Sequence, residues 1–188
     1  MFYHASQTKD IKTLEPRVSN HNRPLIYFSS KRENVLVYLS NAVEKYCKER
    51  NFIYEGPYSK WGPYGFDNDG IIRIEEYYPN ALIDTYKGVS GYIYKINDLP
   101  NGKPMNDIPN AFISVIPVKV DECEYIKDAY EEILKAEEEG LVRITRYSEL
   151  SVKKKEWIKK TIIDEYSNSS NHPEYQFFLK NVFKDFFS

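Results

Sequence analysis

The sequence predicts one α+β domain spanning residues 1–188, and three observations lead to this fold class. Short apolar runs typical of strands come early in the chain, and amphipathic stripes of helical spacing come late. A chain of 188 residues, 41% of them hydrophobic and 29% charged, is long enough to bury one substantial core. We therefore predict five or six strands followed by segregated helices, with a C-terminal helical extension over about residues 150–188.

Charge and composition exclude several classes of partner. The formal net charge of −2 gives no general attraction to nucleic acid, so a nucleic-acid partner is not expected. No apolar run approaches the roughly 18 residues of a membrane span, and the N-terminus lacks the pattern of a signal peptide. The two cysteines form neither a disulfide framework nor a metal knuckle. We expect a cytoplasmic protein with no membrane partner.

Two short apolar runs near the N-terminus each end in small polar residues and are predicted to be strands. The first covers residues 1–6 and the second covers residues 25–28. The candidate polar residues within these runs are His4, Ser6 and Tyr27, and Ser29 directly follows the second run. If the two strands pair, one cleft collects an imidazole, a phenol and several small hydroxyls.

A helix is predicted over Asn34–Arg50, because apolar residues recur there at positions i, i+3 and i+4. The stripe consists of Val35, Leu36, Leu39, Ala42, Val43, Tyr46 and Cys47. Tyr38 lies in the same segment, eleven positions after Tyr27. The helix therefore carries a second phenol toward the predicted cleft.

The middle of the chain alternates turn signals with further strands. Residues 51–70 interleave glycine and proline with aromatic rings, which predicts an ordered lid or a packed excursion. The strands predicted after it are Ile71–Tyr78, Gly91–Ile96 and Ala111–Val120.

Helices are predicted in the last third. Asp121 and Glu124 have the spacing of a capping box, which predicts a helix that begins there and ends at Gly140. A basic helix is expected from Ser151, and an aromatic-rich helix over Glu174–Phe187 closes the chain.

Taken one at a time, the candidate site residues have ordinary structural interpretations. A histidine at a strand end is more often bonded to backbone than to a ligand, which favours a structural role for His4 alone. Tyr27 and Tyr38 alone are typical of core and helix-face rings. The histidines at positions 4, 21 and 172 lack metal-ligand spacing, so no metal site is predicted.

Taken together, the same residues form a pattern. His4-Ala5-Ser6 precedes Ile26-Tyr27-Phe28-Ser29-Ser30, and Tyr38 completes a Y-x10-Y spacing. This pattern resembles the ADP-ribosyltransferase family of the poly(ADP-ribose) polymerase and diphtheria-toxin type, over about the first 40 residues. The resemblance implies a split antiparallel β-sheet core and NAD as the substrate.

The resemblance also implies roles for individual residues. His4 and Tyr27 would be catalytic, with His4 holding the nicotinamide-side ribose, and the Ala5 backbone would bond the carboxamide. Tyr27 and Tyr38 would sandwich the nicotinamide ring, and two phenol faces stabilise a cationic ring by about 1 kcal/mol or more. Desolvation of that cation favours loss of neutral nicotinamide. The implied NAD-binding set is His4, Ala5, Ser6, Tyr27, Ser29 and Tyr38.

The third catalytic group of that family, a glutamate in a late strand, is not matched. Where the family reads Asn-Glu-Tyr-Ile, this chain reads Asn-Ala-Phe-Ile, and Ala111 has no carboxylate. Glu122 and Glu124 lie nearby, but the predicted capping box explains them without catalysis.

Three interpretations of function follow. The first is an NAD-binding transferase that moves ADP-ribose to an acceptor that the sequence does not name. The second is a nucleotide- or ADP-ribose-binding module on the same fold without catalysis. The third is an unrelated α+β protein whose histidine and tyrosines are structural.

Overall fold

The computed structural model describes residues 1–18, 23–55 and 62–187. It is a mixed α+β structure with antiparallel sheets and several helices, which confirms the predicted class. The predicted lid over residues 51–70 lies partly, and His21 wholly, outside the described residues.

Strands come mainly in the first two thirds of the described chain. They are β1 (Phe2–Ser6), β2 (Thr13–Leu14), β3 (Arg17–Val18), β4 (Pro24–Ser29), β5 (Tyr64–Phe66), β6 (Ile72–Glu75), β7 (Gly91–Ile96), β8 (Lys103–Pro104), β9 (Ala111–Ser114), β10 (Val118–Lys119), β11 (Glu122–Ile126) and β12 (Val142–Thr145). The α-helices are α1 (Ala42–Glu49), α2 (Ala81–Tyr86), α3 (Ala129–Glu138), α4 (Val152–Asn168) and α5 (Pro173–Val182). Short 3-10 helices cover Glu33–Tyr38, Tyr147–Glu149 and Lys184–Phe186.

The main sheet has the strand order β11-β7-β1-β4-β9-β8, and β3 adds to β4. All of these pairs are antiparallel. β1 pairs with β7 along its whole length, from Phe2 opposite Ile96 to Ser6 opposite Tyr92. With β4 it shares one paired position among the described residues, Tyr3 opposite Ser29. β1 is therefore paired along its whole length with β7 on one side, and at only one described position with β4 on the other.

Two smaller sheets flank the main one. β5 pairs antiparallel with β6, and β6 pairs parallel with β12. β2 and β10 form a two-stranded antiparallel ribbon. The β6–β12 pair is parallel because its strands are joined through a long connection that includes α3.

Three hydrophobic clusters make up the interior. The helix-side core lies on the face of β1 that carries Ala5 and includes Leu36, Ile93 and Ile133. The opposite-face core is built around Ile26, Phe28 and Ile96 from the main sheet. The C-terminal core joins α1, α4 and α5 and contains Val43, Ile158 and Phe178. Tyr27 therefore lies between two residues of β4, Ile26 and Phe28, that both belong to the opposite-face core.

The predicted helix Asn34–Arg50 is wrong as one element. The chain forms a 3-10 helix over Glu33–Tyr38, leaves helical geometry at Leu39 (φ −87°, ψ 63°), and begins α1 only at Ala42. Ser40 and Asn41 are residue types that compete with helix formation by local hydrogen bonding. The apolar stripe is still buried, because the two segments serve two different cores.

The predicted start of a helix at Asp121 is also wrong, although the helix exists as α3 and ends before Gly140 as predicted. Residues 122–126 form β11, which pairs with β7, and the Asp121 carboxylate accepts a hydrogen bond from the Asn97 amide at 2.7 Å. The helix α3 begins after Asp128, whose carboxylate caps the amides of Tyr130 and Glu131. A partner strand outweighed the local capping pattern, since burial of Ile126 requires the two-residue alternation of a strand.

Candidate functional site

The structure brings His4 and Tyr27 together through the backbone. His4 Nδ1 lies 2.9 Å from the carbonyl oxygen of Tyr27, across the loosely paired seam between β1 and β4. The His4 ring also lies 6.0 Å from the ring of Phe28. His4 therefore fastens the strand that carries Tyr27, and its Nδ1 atom is engaged there.

The rings of His4 and Tyr27 project from opposite faces of the main sheet. Side chains alternate along a strand, so Tyr27 points away from the side occupied by Ile26 and Phe28. His4 packs toward Phe28 and belongs to that other side. The two residues are thus linked by the contact between His4 Nδ1 and the Tyr27 carbonyl, while their rings lie on opposite faces of the sheet.

Tyr38 lies on the Tyr27 side. Its ring packs against the helix-side core, and burial raises its pKa well above the ordinary value. Tyr64 and then Tyr27 add to that rise electrostatically, which marks both as neighbours of Tyr38. The Tyr38 and Tyr64 hydroxyls are 2.9 Å apart, and their rings meet edge to face at 6.0 Å. A phenol pair expected from the spacing is therefore extended by a third tyrosine.

The small residues of the predicted site have local partners. Ala5 is 4% exposed and pairs with Ile93 in the sheet. The Ser6 hydroxyl accepts a hydrogen bond from the Thr8 amide, and that of Ser29 accepts one from the Lys31 amide, both at 3.1 Å. Both serines therefore shape the turns that follow their strands.

Ala111 lies beside the predicted site. β9 pairs with β4 so that Ala111 is opposite Ser29 and Ile113 is opposite Tyr27. Residues opposite one another in a sheet share a face, so the Ala111 methyl group is on the Tyr27 side. A carboxylate at this position would lie next to Ser29, and alanine supplies none.

The carboxylates considered as substitutes lie elsewhere. Glu122 and Glu124 are in β11, which is separated from β4 by β7 and β1. With strands about 4.8 Å apart, the backbones of β11 and β4 are about 14 Å apart. That distance is too long for either side chain to contact a group bound at Tyr27.

Glu124 has a structural partner in Arg32. The Arg32 guanidinium bonds both carboxylate oxygens of Glu124 at 2.5–3.2 Å and also bonds Glu132 at 3.0 Å. These hydrogen bonds hold the pKa of Glu124 below its ordinary range. Arg32 directly precedes the 3-10 helix that ends at Tyr38, so the ion network anchors the segment that connects Tyr27 to Tyr38.

Sequence reasoning missed three polar groups in or beside this region. Tyr64 is the hydrogen-bond partner of Tyr38. Tyr86 is 1% exposed, and Tyr64 raises its pKa after the larger effect of burial. Asn34 is 5% exposed in the 3-10 helix, and within the described chain neither of its amide atoms has a hydrogen-bond partner. Only the tyrosine enrichment of the whole chain hinted at such a group.

We call Tyr27, Tyr38, Tyr64 and Tyr86 the phenol cluster. Tyr64 is a neighbour of both Tyr38 and Tyr86, and Tyr38 is a neighbour of Tyr27. The cluster offers flat apolar faces together with hydroxyls that are neutral at physiological pH, and burial raises the pKa of the Tyr38 and Tyr86 phenols further. Such a wall suits an aromatic ring that carries hydrogen-bonding substituents.

Two hollows lie outside the phenol cluster. One, of about 430 Å³, is open to solvent and is lined by Phe66, Asp67, Asn68, Asp69, Arg73 and Arg143. The other, of about 200 Å³, lies among α1, α2 and α5 and includes Tyr46, Tyr78 and Phe178. Neither is lined by His4, Tyr27 or Tyr38. In the phenol cluster Tyr64 has the most accessible ring, with 39% of the residue exposed, whereas Tyr86 is 1% exposed.

Comparison with known proteins gives no relative. The chain matches no family model, no curated protein and no solved structure. None of the described helices combines the length and apolar character needed to cross a bilayer. Within the described ranges, no three histidine, cysteine or acidic side chains are grouped closely enough to hold a metal ion.

Proposed function

We propose that this chain is an NAD-binding protein of ADP-ribosyltransferase-like type that binds the dinucleotide at the phenol cluster without rapid ADP-ribose transfer. The observation that carries the proposal is that Tyr27 and Tyr38 lie on the same side of the main sheet, at the Y-x10-Y spacing. Two phenol faces in a partly desolvated site stabilise the cationic nicotinamide ring.

In this proposal His4 is a positioning residue. Its bond to the Tyr27 carbonyl fixes β4 where the pairing with β1 is weakest. The His4 ring therefore sets the position of the Tyr27 phenol from the other face of the sheet. This differs from the ribose contact that the sequence resemblance implies.

Ala111 is the reason to expect binding rather than rapid transfer. Cleavage of the nicotinamide–ribose bond sends the bonding electron pair to nicotinamide and leaves an oxocarbenium-like ribose. A carboxylate stabilises that positive charge. The position opposite Ser29 offers a methyl group instead, and Glu124 is occupied by Arg32.

Transfer of ADP-ribose to an acceptor is the second candidate function. It is favoured by the joint presence of His4-Ala5-Ser6, Tyr27 and Tyr38 in the first 40 residues. It requires that another group replace the missing carboxylate.

Calorimetric titration with NAD, together with measurement of released nicotinamide, tests the proposal. We expect the wild type to bind NAD without release, and Tyr38→Leu, which keeps an apolar side chain, to bind at least about tenfold more weakly. The matched control is Tyr125→Leu on β11, whose ring is 58% exposed.

Ala111→Glu distinguishes the two functions. It is expected to start nicotinamide release, whereas Ala111→Gln, of equal size and no charge, is expected to release none. Rapid release by the wild type would instead establish transfer. A wild type with no NAD-dependent heat would contradict both functions.

A further inference from the structure

Tyr86 is a buried tyrosine whose hydroxyl has no hydrogen-bond partner among the described residues. It lies at the end of α2 in the helix-side core with 1% of its surface exposed. A buried polar group without a hydrogen bond destabilises the fold, so each instance in a folded protein calls for a physical explanation.

The Tyr86 hydroxyl belongs to the phenol cluster. Besides burial, the neighbouring phenol of Tyr64 raises the pKa of Tyr86, and the same Tyr64 bonds Tyr38. The backbone of Gly62 lies directly against the Tyr86 hydroxyl, because a Cβ atom built on Gly62 would collide with it. Only glycine lets this part of the chain, two residues before Tyr64, pack so closely against the Tyr86 hydroxyl.

The chemistry of the group defines what it would bind. A phenol is neutral at physiological pH, and burial raises the pKa of Tyr86 further, so its hydroxyl is a hydrogen-bond donor in an apolar environment. The acceptor that loses the least hydration free energy on entering such a site is an uncharged one, such as a hydroxyl or carbonyl oxygen. A charged acceptor such as a phosphate would lose more hydration on entry.

We propose that Tyr86 is a ligand-binding residue of the phenol cluster, and that its hydroxyl donates a hydrogen bond to an uncharged oxygen of the bound ligand. The ligand takes the position that Tyr64 holds beside Tyr38 and Tyr86. This inference rests on the proposed binding of NAD, and it adds a contact that neither the sequence pattern nor its resemblance implies.

Tyr86→Phe tests this role, because it removes one oxygen and keeps the ring. In the absence of ligand we expect an unchanged or higher melting temperature, since an unsatisfied buried hydroxyl is removed. In the presence of NAD we expect a Kd weaker by about tenfold, the loss of one hydrogen bond in a desolvated site.

Tyr94→Phe is the matched control. Tyr94 is also fully buried, but its hydroxyl donates to the Thr8 carbonyl at 2.6 Å and accepts from the Ile11 amide at 3.3 Å. We expect this variant to melt at a lower temperature and to keep the wild-type Kd for NAD. Tyr86→Phe should thus weaken NAD binding without lowering the melting temperature, whereas Tyr94→Phe should lower the melting temperature without weakening NAD binding.

Two results would overturn the role of Tyr86 alone. One is an NAD affinity of Tyr86→Phe equal to that of the wild type. The other is a fall in melting temperature as large as that of Tyr94→Phe, which would show that the hydroxyl has a partner within the folded chain. Failure of the wild type to bind NAD would overturn the proposed function and this role together.

Discussion

The protein has two regions rich in aromatic rings, and they treat the tyrosine hydroxyl differently. In the phenol cluster the Tyr38 and Tyr64 hydroxyls bond each other, and the Tyr86 hydroxyl has no hydrogen-bond partner among the described residues. In the C-terminal core, tyrosine hydroxyls meet carboxylates: Tyr175 donates to Glu165 at 3.3 Å, and Tyr78 is hydrogen-bonded to Asp84. Both regions bury rings, but the tyrosine partners named here are other phenols in the first region and carboxylates in the second.

Ring packing differs in the same way. In the C-terminal core, Phe52 stacks on Phe177 at 4.1 Å, and the Arg50 guanidinium lies 3.6 Å over the Tyr46 ring. Those faces are already covered by protein groups. Tyrosine enrichment alone therefore has no functional meaning, and the distinguishing feature is whether the hydroxyl and the ring face already have partners.

The largest expected effect separates the two regions by stability. Phe178 is 1% exposed in the C-terminal core, so Phe178→Ala is expected to lower the free energy of unfolding by about 3–5 kcal/mol. Tyr64→Ala, at an exposed ring of the phenol cluster, is expected to cost less than about 1 kcal/mol. Urea denaturation measures both. Comparable losses would mean that the phenol cluster is an ordinary core.

A second effect concerns the anchor of the phenol cluster. Arg32→Ala removes the hydrogen bonds to Glu124 and Glu132 and is expected to lower the free energy of unfolding by about 1.5–3 kcal/mol. Arg32→Lys should restore part of this, since lysine cannot bond a carboxylate through two nitrogens. The control is Lys9→Ala, at an exposed pair with Asp10. A cost for Arg32→Ala no greater than for Lys9→Ala would show that the network does not hold the segment.

The smallest effect is a pH dependence of that anchor. The pKa of Glu124 is lower in the folded chain than in the unfolded chain, mainly because Arg32 hydrogen-bonds the carboxylate. Its contribution to stability is therefore complete above the unfolded pKa of about 4.3 and is lost as pH falls through the folded value.

Glu124→Gln measures this contribution by denaturation at a series of pH values. The stability difference from the wild type should be full at neutral pH and should shrink below about pH 4. Glu122→Gln in the same strand, at a side chain that is 64% exposed, is the control. A difference that is constant across this range would contradict the assignment.

Local patterns predicted those parts of the fold that local interactions decide. The strand Gly91–Ile96 is confirmed residue for residue, and β1 and β11 pair with it on its two sides. The capping pattern at Asp121 failed, because a partner strand more than twenty residues earlier in the chain outweighed it. The prediction of one helix over Asn34–Arg50 was wrong because its apolar stripe is divided between two cores, and the helix breaks after Tyr38.

The candidate site was predictable only in part, for a related reason. The spacing of Tyr27 and Tyr38 is visible along the chain, and so is Ala111. Tyr64 and Tyr86 carry no local signal, since their roles depend on three separate segments meeting in space. The opposite faces of His4 and Tyr27 follow from strand register, which becomes known only when Tyr3 is seen opposite Ser29.

The position of β1 has a consequence for how the chain is made. β1 finds its main partner in β7, where Phe2 lies opposite Ile96, so more than 90 residues must be synthesised after Phe2 before this pair can form. Contacts this distant along the chain slow folding, because the loop must be closed before the pairing is gained. During translation the amino-terminal strand therefore waits with an unpaired edge, a state that chaperones recognise and in which strand-to-strand aggregation competes with folding.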